Sequence, residues 1–596
     1  MTLQKSIATL FLLVGTISFA QQTIKIDPSI RFQTMQGFGA SDAWNTEAVG
    51  KNWNINEKEA IAELLFSKEM DGSSPAGIGL SRWRFNIGGG STEQGTESNI
   101  EKEERRSECF ITNVEEVNGE EIVTYDWSKQ AGQQWFLNAA NDYGVEGLVA
   151  FVNSPPRFYT KNGRTNSDNT NRFGTTNLGT TNYNRFSDFM VTVLKHFSDE
   201  GIEFSQISPI NEPQYEWNSG QEGCPWKHDE VFKLVGKLNR DIVAKGLDTK
   251  ILLSEAADYR YLYGNKDDGD KSDIIDKYFD ANSTNYIGDL SQVLPGIGAH
   301  SYWINGTDAS IKSVRETVKE KADDYGLELY QSEYNLLSTH YDDKLLNTIF
   351  LAKIIYTDLE IAGVSLWDYW TAIERERWSQ KNRFYLIRLI PDGGNYADLE
   401  NSGTSIADKN LWALGNFSKF IRPGYKRIST SGADDLAGLM GVSFIAPDDS
   451  EIITVYVNWS ESAIDINNTF TSLPENKKIE NTNVFVTDAT NDLYNVGTHN
   501  LATSYAVPAL SVVTLKTTFV DEVITAASNK QLNTISIHPN PTTGVVNLSQ
   551  TSTYQVSNVL GEIVLSGKGS QVDLSSQNQG VYTLQIGQRS FKIVKQ

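Results

Sequence analysis

Two glutamates in this chain stand where acid–base chemistry is done. Glu212 follows an apolar, strand-like run in "ISPINEPQYEW" (Ile207–Trp217), and Glu333 lies near the end of "LELYQSEYN", 121 positions later (333 − 212). Pro213 has no N–H to offer a ladder, so Glu212 falls where strand turns into loop. A carboxylate there is either exposed in a cleft or paired. Hydrolysis of a glycosidic bond needs two carboxyl groups on one cleft: one protonates the departing oxygen, and the other attacks the anomeric carbon or activates water. Taken singly, each glutamate would more often be the partner of a structural arginine. Both contexts in one scaffold reverse that balance.

The apolar runs supply such a scaffold. Between residues 34 and 421 eight strand-like segments alternate with helical patterns: Gln36–Ser41, Ile78–Ile87, Gly147–Asn153, Phe204–Asn211, Ile251–Glu255, Gly296–Tyr302, Leu327–Glu333 and Gly363–Tyr369. The clearest helix carries Phe186, Phe189, Met190, Val193, Leu194 and Phe197 on a single stripe. Eight strands, each followed by a helix, predict an α/β fold, the (β/α)8 TIM barrel, whose active residues sit at the C-terminal strand ends. Glu212 ends the fourth strand and Glu333 the seventh, roughly opposite across the barrel. Strand alternation puts Leu327, Leu329, Gln331 and Glu333 on one face, so inward leucines would carry Glu333 inward. A doubly wound sheet is the competing fold, but no strand is followed by a glycine-rich dinucleotide fingerprint. Gly88-Gly89-Gly90 lacks the Lys-Ser/Thr of a phosphate loop and reads as a tight turn.

The remaining segments organise around this barrel. Residues 21–33 form a strand that joins a side β-domain, and residues 422–516 supply that domain, an antiparallel β-sandwich of short alternating segments such as "EIITVYVNW". A polar linker over 517–534 leads to a small all-β module at 535–596. Residues 1–20 combine an early Lys5, an apolar run and a small-residue end at Ser18-Phe19-Ala20, the pattern of a secretory signal peptide. No segment is long and apolar enough to span a membrane. The net charge of −23 would repel nucleic acid and anionic membranes, and it keeps an exported protein soluble. The two cysteines, Cys109 and Cys224, are open to either a disulfide or two free thiols. Six histidines with no HExxH pair speak against a zinc hydrolase, and no metal or other cofactor is called for.

At the level of motifs the chain resembles glycoside hydrolase family 30, within the barrel glycosidases of clan A. "INEP" and "SEY" resemble that clan's acid/base and nucleophile motifs. "MQGFGASDAW", "LSRWRFNIGG", "NSPPRFYTKNG", "GAHSYW" and "LWALGNFSKFIRPGYKRI" resemble further family motifs in the family's order, across roughly residues 30–515. The resemblance implies a retaining enzyme with Glu212 as acid/base and Glu333 as nucleophile. It implies that Asn211 bonds the sugar 2-hydroxyl, that Arg84 holds the nucleophile ionised, and that His300 and Tyr302 flank it. Asp42 would hold sugar hydroxyls, and one of Trp367 and Trp370 would floor the sugar site. Core packing is the competing role for the aromatic residues and for His300. Arg157-Phe158 stand where many members carry a tryptophan.

Text around strands two and eight, "RWRFNIGGGSTEQG" and "LWDYWTAIERERW", looks closest to the endo-β-1,6-galactanase type, with β-1,6-glucanase and β-1,4-xylanase as alternatives. A catalytically idle glycan-binding protein on the same barrel is the reading from another class. "HPNPTTG" (His538–Gly544) and the ending "GVYTLQI…KIVKQ" resemble the C-terminal sorting domain of type IX secretion. Its rival, a small carbohydrate-binding module, lacks an aromatic platform here. The expected partners are a β-linked polysaccharide or oligosaccharide and the type IX secretion machinery. The expected state is a monomer, secreted or displayed at the cell surface.

Overall fold

The structure, a computed structural model, describes residues 21–168, 174–267, 269–337, 341–376, 381–393, 397–522, 535–587 and 589–596. The signal-peptide reading and most of the proposed linker lie outside the described residues. The chain divides into two compact units, with the break between Asp521 and Glu522.

The larger unit contains the barrel. Its strands are β1 (Gly37–Ser41), β2 (Arg82–Asn86), β3 (Gly147–Phe151), β4 (Phe204–Ser208), β5 (Lys250–Ile251), β6 (Gly296–Ala299), β7 (Glu328–Tyr334) and β8 (Leu366–Tyr369). They pair in parallel in the order β5-β4-β3-β2-β1-β8-β7-β6. Parallel bridges from Ile251 to Val293 and from Ala256 to Ala299 close the ring between β5 and β6. Most strands are shorter than their apolar runs. Glu212, Glu255 and Tyr302 lie just beyond the regular ends of β4, β5 and β6, at the mouth of the barrel.

Helices follow each strand. Tyr183–Asp199, after β3, buries all six residues of its predicted stripe, each contributing roughly 1.5–3 kcal/mol relative to exposure. His228–Lys245 follows β4 and Asp308–Asp324 follows β6. Thr307 caps the second of these by accepting from the Ser310 N–H. In the long connection after β2, Ile111–Val117 and Glu120–Tyr125 form a hairpin closed by Asn118-Gly119, both at positive φ, the pair that favours a two-residue turn.

The leading strand Gln22–Thr34 lies inside a nine-stranded sheet, antiparallel to Lys426–Ser431 and parallel to Ile464–Phe470. Every other pairing in that sheet is antiparallel. It wraps a core of its own that includes Ile24, Ile26, Tyr456, Val484 and Val513. Its strand Ser511–Asp521 runs past the boundary read at residue 516. Cys109 and Cys224 are both buried free thiols. Among the described residues no helix is long and apolar enough to cross a membrane.

The smaller unit is a five-stranded sheet around Val546, Val556, Val572, Leu584 and Ile593. Lys595, in the chain's last strand, buries its ammonium against the carbonyls of Leu574 (2.6 Å) and Ser575 (3.1 Å). The closing "KIVKQ" is thereby fixed into the fold.

Helices Thr46–Asn52 and Ala131–Asp142 cross through Gly50 and Gly132. A Cβ on Gly132 would lie 1.9 Å from the Glu47 carbonyl, whereas Gly236, exposed in helix His228–Lys245, has no atom within 4 Å of its Cβ position. Gly132→Ala is therefore expected to cost about 1–3 kcal/mol by overpacking. Gly236→Ala should stabilise by about 0.5–1 kcal/mol. Thermal midpoints of the two variants should move in opposite directions.

Candidate active site

The barrel interior is polar and layered. Alternation along "RWRFN" turns Arg82 and Arg84 inward, while Trp83 and Phe85 pack under the helices. Arg82 grips Asp368 of β8 through three bonds (3.0, 3.1 and 3.3 Å) and donates to Gln206 of β4 (3.0 Å). One layer higher, Arg84 donates to Glu333 (2.6 Å) and to the Asn211 side-chain oxygen (3.3 Å), and it lies 3.6 Å from Glu255. Its guanidinium rests on the Phe151 ring, 4.1 Å from the centroid.

Glu333 reaches this layer through a break in strand alternation. Leu329 packs in the core beneath the helices, while Tyr330 meets Leu252 and Leu366 inside the barrel. The expectation that Leu327, Leu329 and Glu333 share the inward face is therefore corrected. Gln331 pairs with Trp367 and Tyr334 with Tyr369, so β7 spends one residue more than β8 between those pairs. This bulge brings consecutive side chains inside: Ser332 donates to Glu255, and Glu333 meets Arg84. Bulges commonly re-aim side chains in this way beside active sites.

Glu212 arrives from β4 at a left-handed φ of 39°, and Glu255 after β5 at 52°. The Glu212 N–H donates to the Glu255 carbonyl (2.9 Å). His300 bridges the two side chains, Nδ1 to Glu212 (2.9 Å) and Nε2 to Glu255 (3.2 Å), with Glu333 3.7 Å from Nδ1. Burial alone would strip the imidazole of its proton, but Glu333, Glu212 and Glu255 hold its pKa up at about 10. Burial would likewise raise Glu255, yet Arg84 and His300 hold it down at about 2. Burial does raise Glu212, against the pull of its His300 bond. Burial, and then the Glu333 charge, raise Tyr302, whose hydroxyl donates to Glu333 (3.1 Å).

Nearest ligand atoms of Glu212, His300 and Glu333 all lie within 4.8 Å of one another. The convergence could suggest a cation site. A protonated imidazole has no lone pair for a metal, and Arg84 already supplies positive charge there. Three carboxyl groups, those of Glu212, Glu255 and Glu333, thus face two basic side chains.

A pocket of about 280 Å³ opens above this cluster, lined by Asn211, Glu212, Tyr302, Glu333 and Trp370 among others. Arg84 and His300 stand behind its wall, 2% and 0% exposed. The structure distinguishes the two tryptophans left open by sequence, and it corrects the expectation for Asp42. Trp367 points out of the barrel, fully buried, with its indole N–H on Asp358 (3.0 Å); alternation on β8 gives the inside to Leu366 and Asp368. Trp370, past the strand's end, is the residue of that pair on the pocket. Asp42 is buried with both oxygens occupied, by the Asn86 N–H (3.0 Å) and the Gln133 amide (3.1 Å). Its neighbour Trp44 lines the pocket instead, edge-on to Trp370 at 5.9 Å. Glu374, bonded to Asn45 (2.8 Å), also lines it. Glu255 was legible as a third strand-end carboxylate in "ILLSEAADY", but sequence reasoning assigned it no role.

Comparison with known proteins agrees with this geometry. Residues 21–382 match the model of O-glycosyl hydrolase family 30, and residues 536–596 match a secretion system C-terminal sorting domain. An endo-β-1,6-galactanase of Hypocrea rufa is 22% identical over 459 residues, which is 74% of this chain and 82% of that protein. The crystal structure of a conserved exported protein from Bacteroides fragilis is 30% identical, covering 83% of this chain and 100% of its own, with a TM-score of 0.76. The catalytic domain of xylanase C from Talaromyces cellulolyticus shares the fold at 21% identity and a TM-score of 0.59, over 83% of this chain and 100% of that one. A barrel with two facing glutamates, matched by the family model over most of its length, places the chain in O-glycosyl hydrolase family 30: it is a glycoside hydrolase carrying a type IX sorting domain at its C-terminus.

Proposed function

We propose that the protein is a secreted, retaining hydrolase of β-linked polysaccharide in which Glu212 is the acid/base and Glu333 the nucleophile. The observation that carries this reading is the approach of their carboxyl oxygens to within 4.8 Å. A retaining pair stands about 5–5.5 Å apart, while an inverting pair leaves about 6.5–9.5 Å to seat a water. Arg84 and Tyr302 each donate to one oxygen of Glu333 and so aim it. The Asn211 oxygen is committed to Arg84, which leaves its NH2 to donate toward a sugar hydroxyl.

The electrostatics suit two steps. The negative charge of Glu333 helps keep the proton on Glu212, where it is needed for the departing oxygen. Esterification of Glu333 by the sugar removes that charge, so Glu212 surrenders its proton more readily and can act as base on the incoming water. His300, cationic beside it, stabilises the carboxylate formed.

For the substrate, the galactanase relative and the text around strands two and eight favour endo-β-1,6-galactan cleavage. β-1,6-Glucan and β-1,4-xylan are the alternatives, and an idle glycan-binding protein is the reading from another class. Reducing-sugar release from the three polysaccharides is expected to be fastest on β-1,6-galactan. Release from none of them would favour the binding protein.

Anomeric configuration tests the roles. Glu212→Gln should keep its first step on aryl glycosides with acidic phenols, which need little protonation to leave. Azide should then rescue turnover and give the β-glycosyl azide, whereas azide with Glu333→Gly should give the α-azide by direct displacement. Exchanged configurations would reverse the assignment.

Glu255 is proposed as a positioning residue that keeps His300 charged. A histidine whose folded pKa is raised from 6.5 to about 10 adds stability that is complete below the lower value and lost as pH rises through the upper one. Glu255→Gln removes one of the three carboxyl groups responsible. The alkaline limb of thermal midpoint against pH should move down by about one unit or more, and Glu255→Asp should restore part of it. An unmoved limb would leave Glu255 without this role.

A further inference from the structure

Beside the catalytic pocket lies a second cleft of about 800 Å³, nearly three times the pocket's volume of about 280 Å³. Arg105, Trp217, Gln221 and Leu337 line both, so one space continues into the other. Folding leaves large apolar surface uncovered there: Trp303 is 42% exposed, Leu337 40% and Tyr215 39%. Exposed apolar surface gathered around one concavity is the mark of a binding site rather than of chance.

The backbone beneath the aromatics is specialised. Trp303 sits at φ 56° and Trp217 at φ 51°, a left-handed conformation that bulky side chains disfavour. Tyr302, the residue before Trp303, is held by its bond to Glu333 and by stacking on Tyr334, with ring centroids 5.8 Å apart. Trp217 donates its indole N–H to the Glu212 carbonyl (3.0 Å) and packs edge-on against Tyr215 at 5.0 Å. Both aromatic supports are thus tied directly to the glutamate pair.

The side of the pair on which the cleft lies follows from the loops that build it. The segment Tyr215–Gln221, which begins three residues beyond Glu212, and Trp303 after β6 supply its aromatic wall. The connection after β2, between Thr96 and Arg106, forms the facing wall. Leu337 after β7 is its one contribution from the Glu333 strand, and neither glutamate lines the cleft itself. An acid/base hands its proton to the departing oxygen, so the departing part of a substrate extends on that residue's side. We propose that this cleft binds the leaving-group side of the polysaccharide, with Trp303 and Tyr215 as stacking platforms for two or more of its pyranose rings. The inference rests on the reading of Glu212 as acid/base. It makes the enzyme one that grips its chain on both sides of the cut, which is what internal cleavage requires.

The test compares Trp303→Ala with the unaltered enzyme on two substrates: the polysaccharide cleaved fastest of the three above, and the p-nitrophenyl β-glycoside of its sugar, whose leaving group is too small to reach the cleft. The ratio of kcat/KM on polysaccharide to kcat/KM on aryl glycoside should fall about tenfold or more, a loss typical of truncating a stacked aromatic anchor. Equal losses on both substrates would make Trp303 a structural residue, and no loss on either would remove it from the site; both overturn the proposal. Calorimetric binding of an oligosaccharide of the same linkage to Glu333→Gln, with and without Trp303→Ala, gives a readout independent of turnover. Weaker binding in the double variant is expected, and unchanged affinity would again overturn it. Should Glu333→Gln keep full activity, the catalytic assignment fails, while the binding comparison still decides the cleft.

Discussion

A guanidinium buried near the top of the barrel organises the site. Taking Arg84 out of water costs several kcal/mol unless its charge is met. Glu333, Glu255 and the Asn211 oxygen meet it, and the Phe151 face supports it from behind. The dependence runs both ways. Arg84 and His300 hold the pKa of Glu255 down in a fully buried position, and the three carboxyl groups around His300 hold its pKa up. Neutralising any one of these groups would shift the proton affinity of the rest. The raised pKa of Glu212 is therefore a property of the cluster as a whole.

Lower in the barrel the same principle recurs. Arg82, Asp368 and Gln206 fill a layer that branched aliphatic side chains fill in many barrels. Such layers rarely out-stabilise an apolar core, but they fix orientation, because each donor has one acceptor that suits it. An inward arginine two residues below Arg84 on the same strand sets the floor on which the upper layer stands.

Local backbone rules are broken around the barrel mouth as well as in turns far from it. Glu212, Glu255, Trp217 and Trp303 take left-handed backbone conformations, and β7 carries a bulge between Gln331 and Tyr334. Strain of order 1–3 kcal/mol at each such residue persists only where surrounding packing holds it. Here the rigid ring of strands and the ionic layers do so. The sorting module is built differently, as a small sheet with its own apolar core and a buried terminal lysine, and it needs none of this network.

Sequence alone determined what depends on local period and local chemistry. Alternating apolar runs marked eight strands, the stripe from Phe186 to Phe197 marked a helix, and Pro213 placed Glu212 at a strand's end. Motif order was enough to mark the barrel family and the sorting tail. Tertiary structure decided which way particular side chains point. Trp367 and Trp370 are alike in sequence, but only pairing of β8 between β7 and β1 sends the first outward and leaves the second on the pocket. Asp42 looked available until the Asn86 N–H and Gln133 closed around it. Alternation along "LELYQSEYN" chose the wrong inward leucines, and Glu333 faces inward because β7 gains a residue against β8. Glu255 showed only as another acid at a strand's end, because its partners Arg84, His300 and Ser332 lie 171, 45 and 77 positions away (255 − 84, 300 − 255, 332 − 255). Periodicity is a property of neighbours along the chain, whereas a buried charge is defined by neighbours across the barrel, and only closure of the ring brings those together.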